Sequence, residues 1–175
     1  LNVSCPHAKG EGLTIGQDYE LVTRIIEEVK TLGKPIMVKL SPKADVEKSV
    51  EAILKGGADG ITAINTWGPE RFEVDVRPVL FNGFGGWSGK QVLETGVDYV
   101  SSLRQRTNLP IIGCGGIFGA EDVLRYRNSG ANFFGVGSAL AGMNSEENKL
   151  FFRQLDEDVR NGTNYAKDFL KTELN

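Results

Sequence analysis

Pro110-Ile111-Ile112-Gly113-Cys114-Gly115-Gly116 and, further along, Asn132-Phe133-Phe134-Gly135-Val136-Gly137-Ser138 are two short apolar runs that each pass directly into glycines. Near-continuous apolar runs of this length, rich in β-branched and aromatic residues, read as strands buried on both faces, as in a parallel sheet. Two earlier runs have the same character, Pro35-Ile36-Met37-Val38-Lys39-Leu40 and Gly60-Ile61-Thr62-Ala63-Ile64-Asn65. Helical periods lie between and around them at 19–32, 46–54, 92–103 and 120–126, the first with apolar residues at Leu21, Val22, Ile25, Ile26 and Val29. Gly33, Gly56 and Gly130 stand just past the last apolar position of their helices, as short connections back to a strand require. With Asn2-Val3-Ser4 as a truncated opening strand, the pattern predicts five parallel strands in repeated βα units. Such a sheet can be doubly wound or a barrel. Lys39, Asn65-Thr66, residues 113–116 and Gly137-Ser138 all fall at strand C-termini, where a barrel builds its site, so a (βα)8-type TIM barrel is the expected fold.

The remaining chain fits that frame. At 175 residues and 40% hydrophobic it is long enough for one core but short for a complete barrel of roughly 250 residues. Twenty basic residues against 23 acidic ones, with no Lys/Arg-rich run, leave no footprint for nucleic acid or anionic lipid. No stretch approaches the ~18 apolar residues of a membrane helix. Two distant cysteines and a single histidine indicate neither a disulfide framework nor a metal site, and a reducing cytoplasm fits best. The stretch 66–90 is long for a βα loop and is expected to act as a functional flap. The acidic, amphipathic tail 144–175 is expected to form one or two closing helices.

Four groups of residues carry chemistry. The two glycine motifs at the ends of the last two strands, Gly113-Cys114-Gly115-Gly116 and Gly135-Val136-Gly137-Ser138, free backbone amides at helix starts and suit a phosphate dianion; the competing reading is that glycine only relieves crowding there. Lys39 ends an apolar strand at the mouth of the barrel, where an ammonium must be paired or used. It could form a Schiff base, stabilise an anionic reduced flavin, or serve as a structural ion-pair partner. Asn65-Thr66 offers donors and acceptors without charge, suited to a planar amide or imide. The opening Leu1-Asn2-Val3-Ser4-Cys5-Pro6-His7-Ala8 sets a thiol beside the only histidine. Cys5 could act as a general base or acid there or be an inert small side chain, while Cys114 inside the glycine loop reads as the inert thiol.

In order and spacing, Asn2-x-Ser4-Cys5-Pro6, Val38-Lys39-Leu40-Ser41-Pro42, Gly57-Ala58-Asp59-Gly60, Ile64-Asn65-Thr66, Gly85-Gly86-Trp87-Ser88-Gly89, residues 110–116 and Gly135-Val136-Gly137-Ser138 resemble the class 1 dihydroorotate dehydrogenases over roughly residues 1–143. The resemblance implies an FMN-dependent barrel that oxidises dihydroorotate to orotate in de novo pyrimidine synthesis. Cys5 would be the base that removes the C5 proton while hydride passes from C6 to the flavin. Asn2, Asn65 and Thr66 would hold the pyrimidine; Lys39, Ile64 and Gly89 would contact the flavin; Gly115, Gly116, Gly137 and Ser138 would cradle its phosphate. No metal is implied. Ser4-Cys5-Pro6-His7 and residues 16–22 are more similar to the pyrimidine-reducing domain of dihydropyrimidine dehydrogenase, so a reductase of that kind is the alternative. A barrel without redox chemistry that uses Lys39 as a Schiff-base aldolase is the other. Because the family's early strands would precede residue 1, residues 1–175 are expected to be the C-terminal portion of a single FMN-binding barrel domain that needs its N-terminal part as partner. A pyrimidine substrate and a homo-oligomer are the other expected partners. Family analogy leaves room for an electron-transfer subunit, for which no residue argues.

Overall fold

The computed structural model describes residues 1–4, 12–71 and 84–172. Cys5, Pro6 and His7 lie outside the described residues. The chain opens with a short helix, α1 (Gly12–Gln17), and then α2 (Tyr19–Lys30), β1 (Met37–Leu40), α3 (Val46–Gly56) and β2 (Gly60–Ala63) alternate. A two-strand ribbon, β3 (Trp67–Arg71) and β4 (Phe84–Trp87), precedes α4 (Leu93–Arg104), β5 (Ile111–Cys114), α5 (Ala120–Asn128), β6 (Phe133–Gly135) and the long α6 (Ser145–Thr172). β1, β2, β5 and β6 form one parallel sheet in that order, with Lys39 opposite Thr62, Ala63 opposite Gly113, and Cys114 opposite Gly135. This is a portion of an α/β barrel whose sheet does not close on itself among the described residues. No helix among them is long and apolar enough to cross a membrane.

Local chemistry explains where the elements begin and end. Asp18 and Asp45 each accept a hydrogen bond from the N–H three residues on, Leu21 at 3.0 Å and Lys48 at 2.9 Å, and so start α2 and α3. The left-handed residue that ends α3 is Gly57, at φ 77°, not Gly56. Gly56 serves another purpose: a Cβ there would stand 2.7 Å from Cβ of Ile26, so its absence lets α2 and α3 approach. Val22 and Ile26 of α2, Ile53 of α3, Val100 and Leu103 of α4 and Tyr126 of α5 pack with Val38, Ile61 and Ile111 of the sheet into one core.

Three expectations need correction. The first strand is absent as an element: Asn2 makes a single parallel bridge to Lys39, and Leu1 O accepts from Lys39 N at 2.7 Å. The strands are not buried on both faces. Val38, Leu40, Ile61, Ala63, Ile111 and Gly113 are buried beneath the helices, while the alternate residues Lys39, Thr62, Ile112 and Cys114 are half-buried and line a cleft. The stretch 66–90 is not simply a loop, since Trp67 pairs with Trp87 and Arg71 with Phe84 in an antiparallel ribbon. Glycine and proline in Trp67-Gly68-Pro69-Glu70-Arg71 hid that strand, which lacks the alternation a half-buried strand normally shows. Residues 72–83 lie outside the described region.

The N-terminal edge of the sheet is held by one side chain. Arg104, at the end of α4, donates to the carbonyls of Gly130 (3.0 Å), Thr107 (2.8 Å) and Leu109 (3.0 Å) and to Asn132 Oδ1 (2.9 Å). Asn132 Oδ1 also accepts from Ile111 N at 2.9 Å, so the starts of β5 and β6 share this guanidinium. Arg104→Met keeps the apolar stem and removes every donor. It should lower unfolding stability by about 2–3 kcal/mol, read as a shift in the urea midpoint, because partly buried carbonyls lose charged partners.

Candidate active site

The C-terminal ends of the four parallel strands open into a cleft of about 300 Å³. Lys39 enters it from β1, Ile64, Asn65 and Thr66 from the turn after β2, Gly89 from the turn after β4, and Gly115, Gly116, Gly137 and Ser138 from the turns after β5 and β6. Parallel strands put every C-terminus at one end of the sheet, which is why residues up to about a hundred positions apart meet here. Asn2 joins through Asn65, and Cys5 lies outside the described residues.

Asn65 organises one wall. Its Nδ2 donates to Ser4 O at 2.9 Å and lies 3.0 Å from Ser4 Oγ and 3.4 Å from Asn2 Oδ1, while its Oδ1 accepts from Thr66 N at 2.9 Å. Ser4 Oγ in turn donates to Asn2 Oδ1 and to Lys39 O, each at 3.2 Å. Asn65 and Ser4 are both buried. In this state Asn65 spends its amide on the segment that leads into Cys5, and the side chain of Asn2 is the exposed one. The expected amide cage is therefore two-layered, with Asn65 and Ser4 behind Asn2.

Lys39 Nζ has no hydrogen-bond or ion-pair partner among the described residues. Its charge bears on Cys114, which is half-buried and donates through Sγ to Ile64 O at 3.1 Å. Burial pushes the Cys114 thiol above its ordinary range, and the nearby ammonium only partly offsets this. Cys114 is accordingly a protonated, engaged thiol, in line with its reading as inert. The Ala63–Ile64 peptide ahead of Asn65 is cis.

The glycines divide into two kinds. Gly113 relieves crowding, because a Cβ there would stand 2.5 Å from Cδ1 of Tyr126. Gly115 and Gly116 have φ of 113° and 75°, a region side chains disfavour, and a Cβ on Gly116 would meet Leu93 N at 2.8 Å. Gly137 differs: its φ is −132° and nothing lies within 4 Å of a Cβ built on it, so it faces open space in the cleft. Among the described residues, the N–H groups of Gly116, Gly137 and Ser138 take part in no turn, cap or side-chain hydrogen bond. N–H groups of this kind are what a phosphate-sized anion accepts from.

The start of α5, by contrast, is closed to an outside anion. The Asp122 carboxylate accepts from Phe118 N (2.9 Å) and Gly119 N (3.2 Å) and pairs with Lys90 Nζ. Asp122 thus supplies the reciprocal half of a capping box at Gly119, which has no side chain of its own to give, so the usual sequence signature is missing. Lys90 follows Gly89, so this pair ties the turn after the ribbon to the loop before α5. Burial alone would raise the Asp122 carboxyl; the Lys90 ammonium and the two N–H groups outweigh it and hold the group below its ordinary value. A carboxyl depressed on folding stabilises the fold above its unfolded pKa of about 3.9 and loses that contribution as pH falls through the folded value. Urea unfolding followed from pH 6 to pH 3 should show this loss beginning below about pH 4, and Asp122→Asn should lack that component.

A model of the dihydroorotate dehydrogenase family matches residues 1–157. The chain belongs to this family. It is 41% identical over 145 residues to the dihydroorotate dehydrogenase B (NAD(+)) catalytic subunit of Methanocaldococcus jannaschii, covering 80% of this chain and 47% of that protein. Against the protein of the same name from Pyrococcus furiosus it is 40% identical over 167 residues, 91% of this chain and 53% of the relative. The chain thus spans about half the length of these dihydroorotate dehydrogenase relatives. A crystal structure of dihydroorotate dehydrogenase from Eimeria tenella in complex with ferulenol superposes on 95% of this chain and 50% of its own at a TM-score of 0.75, with 23% identity. That likeness concerns the fold.

Proposed function

We propose that the protein carrying this chain is a flavin-dependent dihydroorotate dehydrogenase that oxidises dihydroorotate to orotate in pyrimidine synthesis. The observation that carries this reading is one cleft holding an ammonium with no counter-ion among the described residues, a neutral amide wall and two loops whose N–H groups take part there in no turn, cap or side-chain hydrogen bond. FMN fits those three features. Gly116, Gly137 and Ser138 would hold its phosphate, with Gly115 shaping the turn. Lys39, Ile64 and Gly89 would hold the ring, Lys39 bringing the positive charge an electron-accepting ring calls for. When bound, FMN supplies the acceptor for the hydride that leaves C6 of the substrate.

The chain's own residues do the rest. Cys5 as thiolate takes the proton from C5, next to the carbonyl that acidifies it. Asn2 and Thr66 orient the pyrimidine by its imide edges, and Asn65 fixes Asn2 and the Ser4 end of the Cys5 segment in place. In this reading residues 1–175 are the C-terminal portion of one FMN-binding barrel domain, completed by an N-terminal portion, acting in the cytoplasm as a homo-oligomer. The relatives' names, catalytic subunit of an NAD(+)-linked enzyme, support a second, electron-transfer subunit as partner.

Ser4-Cys5-Pro6-His7 favours a second reading, a dihydropyrimidine dehydrogenase-like reductase. Anaerobic titration of the full-length protein, followed in the visible spectrum, separates the two. Bleaching of a flavin band by dihydroorotate and not by dihydrouracil is the expected result; bleaching by dihydrouracil moves the function to the reductase. A protein that takes up no FMN and is trapped on Lys39 by borohydride is a Schiff-base enzyme instead.

A further inference from the structure

Among the described residues Tyr126 is the largest fully buried side chain, and its hydroxyl is bonded to two residues that line the cleft. It lies in a slot left by two glycines. A Cβ on Gly96 of α4 would collide with the Tyr126 hydroxyl, and one on Gly113 of β5 would collide with its ring. From this slot Oη sits 2.8 Å from Gly115 O and 3.0 Å from Cys114 O. The two carbonyls are not equally dependent on it. Cys114 O already accepts from Ile64 N at 2.9 Å, whereas Gly115 O accepts no other turn, cap or side-chain hydrogen bond among the described residues.

The consequence follows from peptide geometry. In a planar trans peptide, C=O and N–H point in opposite directions, so holding Gly115 O toward α5 turns the N–H of Gly116 the other way, toward the cleft. This peptide sits between two glycines, both at positive φ, and no Cβ restrains its rotation. Without an anchor it could rotate and present a carbonyl where an anion needs a donor. We propose that Tyr126 is a positioning residue for anion binding, its hydroxyl fixing the Gly115–Gly116 peptide with the Gly116 N–H aimed at the phosphate of the cofactor. Burial pushes the hydroxyl above the ordinary phenol range, so it is protonated and can donate at neutral pH. The inference rests on the FMN reading above and adds to it the residue that sets the phosphate donor.

The test compares affinities for FMN and for riboflavin, which lacks the phosphate, in the full-length apoprotein. Tyr126→Phe keeps the ring in its slot and removes only the hydroxyl. Tyr99→Phe is the control: the Tyr99 hydroxyl is also buried and donates to Ala44 O at 3.1 Å, away from the cleft. Both variants should lose comparable thermal stability. Only Tyr126→Phe should reduce the preference for FMN over riboflavin, by roughly 10-fold, the effect of one charged hydrogen bond, with riboflavin affinity unchanged. An unchanged preference in Tyr126→Phe, or an equal fall in Tyr99→Phe, overturns the positioning role while leaving the FMN assignment standing. A wild-type protein that does not prefer FMN to riboflavin overturns both.

Discussion

Gly137→Val leaves the protein folded and strips it of FMN. The position is a direct probe of the phosphate loop because a Cβ there meets nothing within 4 Å, so the substitution does not begin with a clash against the core. Instead it fills the space in front of the N–H groups of Gly137 and Ser138. Losing two hydrogen bonds to a charged phosphate, at about 1.5–3 kcal/mol each, weakens FMN binding by roughly 100-fold or more. Thermal melting of the apoprotein should change little, and equilibrium dialysis should show the loss. The same substitution at Gly116 is a poorer probe, since its Cβ would meet the backbone of Leu93 at 2.8 Å and φ is 75°, so folding and binding would fail together. Undiminished FMN content in Gly137→Val would place the phosphate elsewhere.

Cys5→Ala in the full-length protein should lower turnover by about 10²–10⁴-fold with FMN fully bound, the usual contribution of a positioned general base. The structural ground for this is the residue before it. Ser4 is buried, with its Oγ bonded to Lys39 O and its carbonyl to Asn65, and both of those residues line the cleft. The described residues that lead to Cys5 therefore end at the cleft wall, where the proposed reaction calls for a thiolate. Cys5→Ser should retain a fraction of the activity with its pH profile moved to higher pH, since a hydroxyl is a far weaker acid than a thiol. Wild-type turnover in Cys5→Ala would remove the thiol from the proton transfer, and the flavin spectrum of the variant would show whether the cofactor site had survived.

How far the site could be read in advance depends on which interactions define it. Lys39, Asn65-Thr66 and the two glycine loops were legible because each ends an apolar run, and parallel topology gathers strand ends whatever the distance along the chain. The four strands and the helices between them followed from periodicity, with boundaries off by at most two residues. What escaped were features decided by tertiary contact. Asn65 is committed to Ser4 and Asn2, which no local pattern announces. Tyr126 read as the end of an amphipathic helix, and only the slot left by Gly96 and Gly113 shows why its hydroxyl reaches the loop. The glycine of Gly113 looked like part of a phosphate motif and proved to be packing. The β3–β4 ribbon was hidden by residues that form strands only when a partner strand is supplied.

Arg104 and the glycine loops stand at opposite ends of the same strands, and the separation divides labour within a few residues. At one end of β5 and β6 a guanidinium binds carbonyls; at the other, among the described residues, N–H groups take part in no turn, cap or side-chain hydrogen bond. A lineage could therefore exchange residues around the cleft, and with them the molecule accepted there, without drawing on the contacts that keep the strands in register. Thermal adaptation could in turn proceed through the turns around Arg104 with little effect on what the cleft selects.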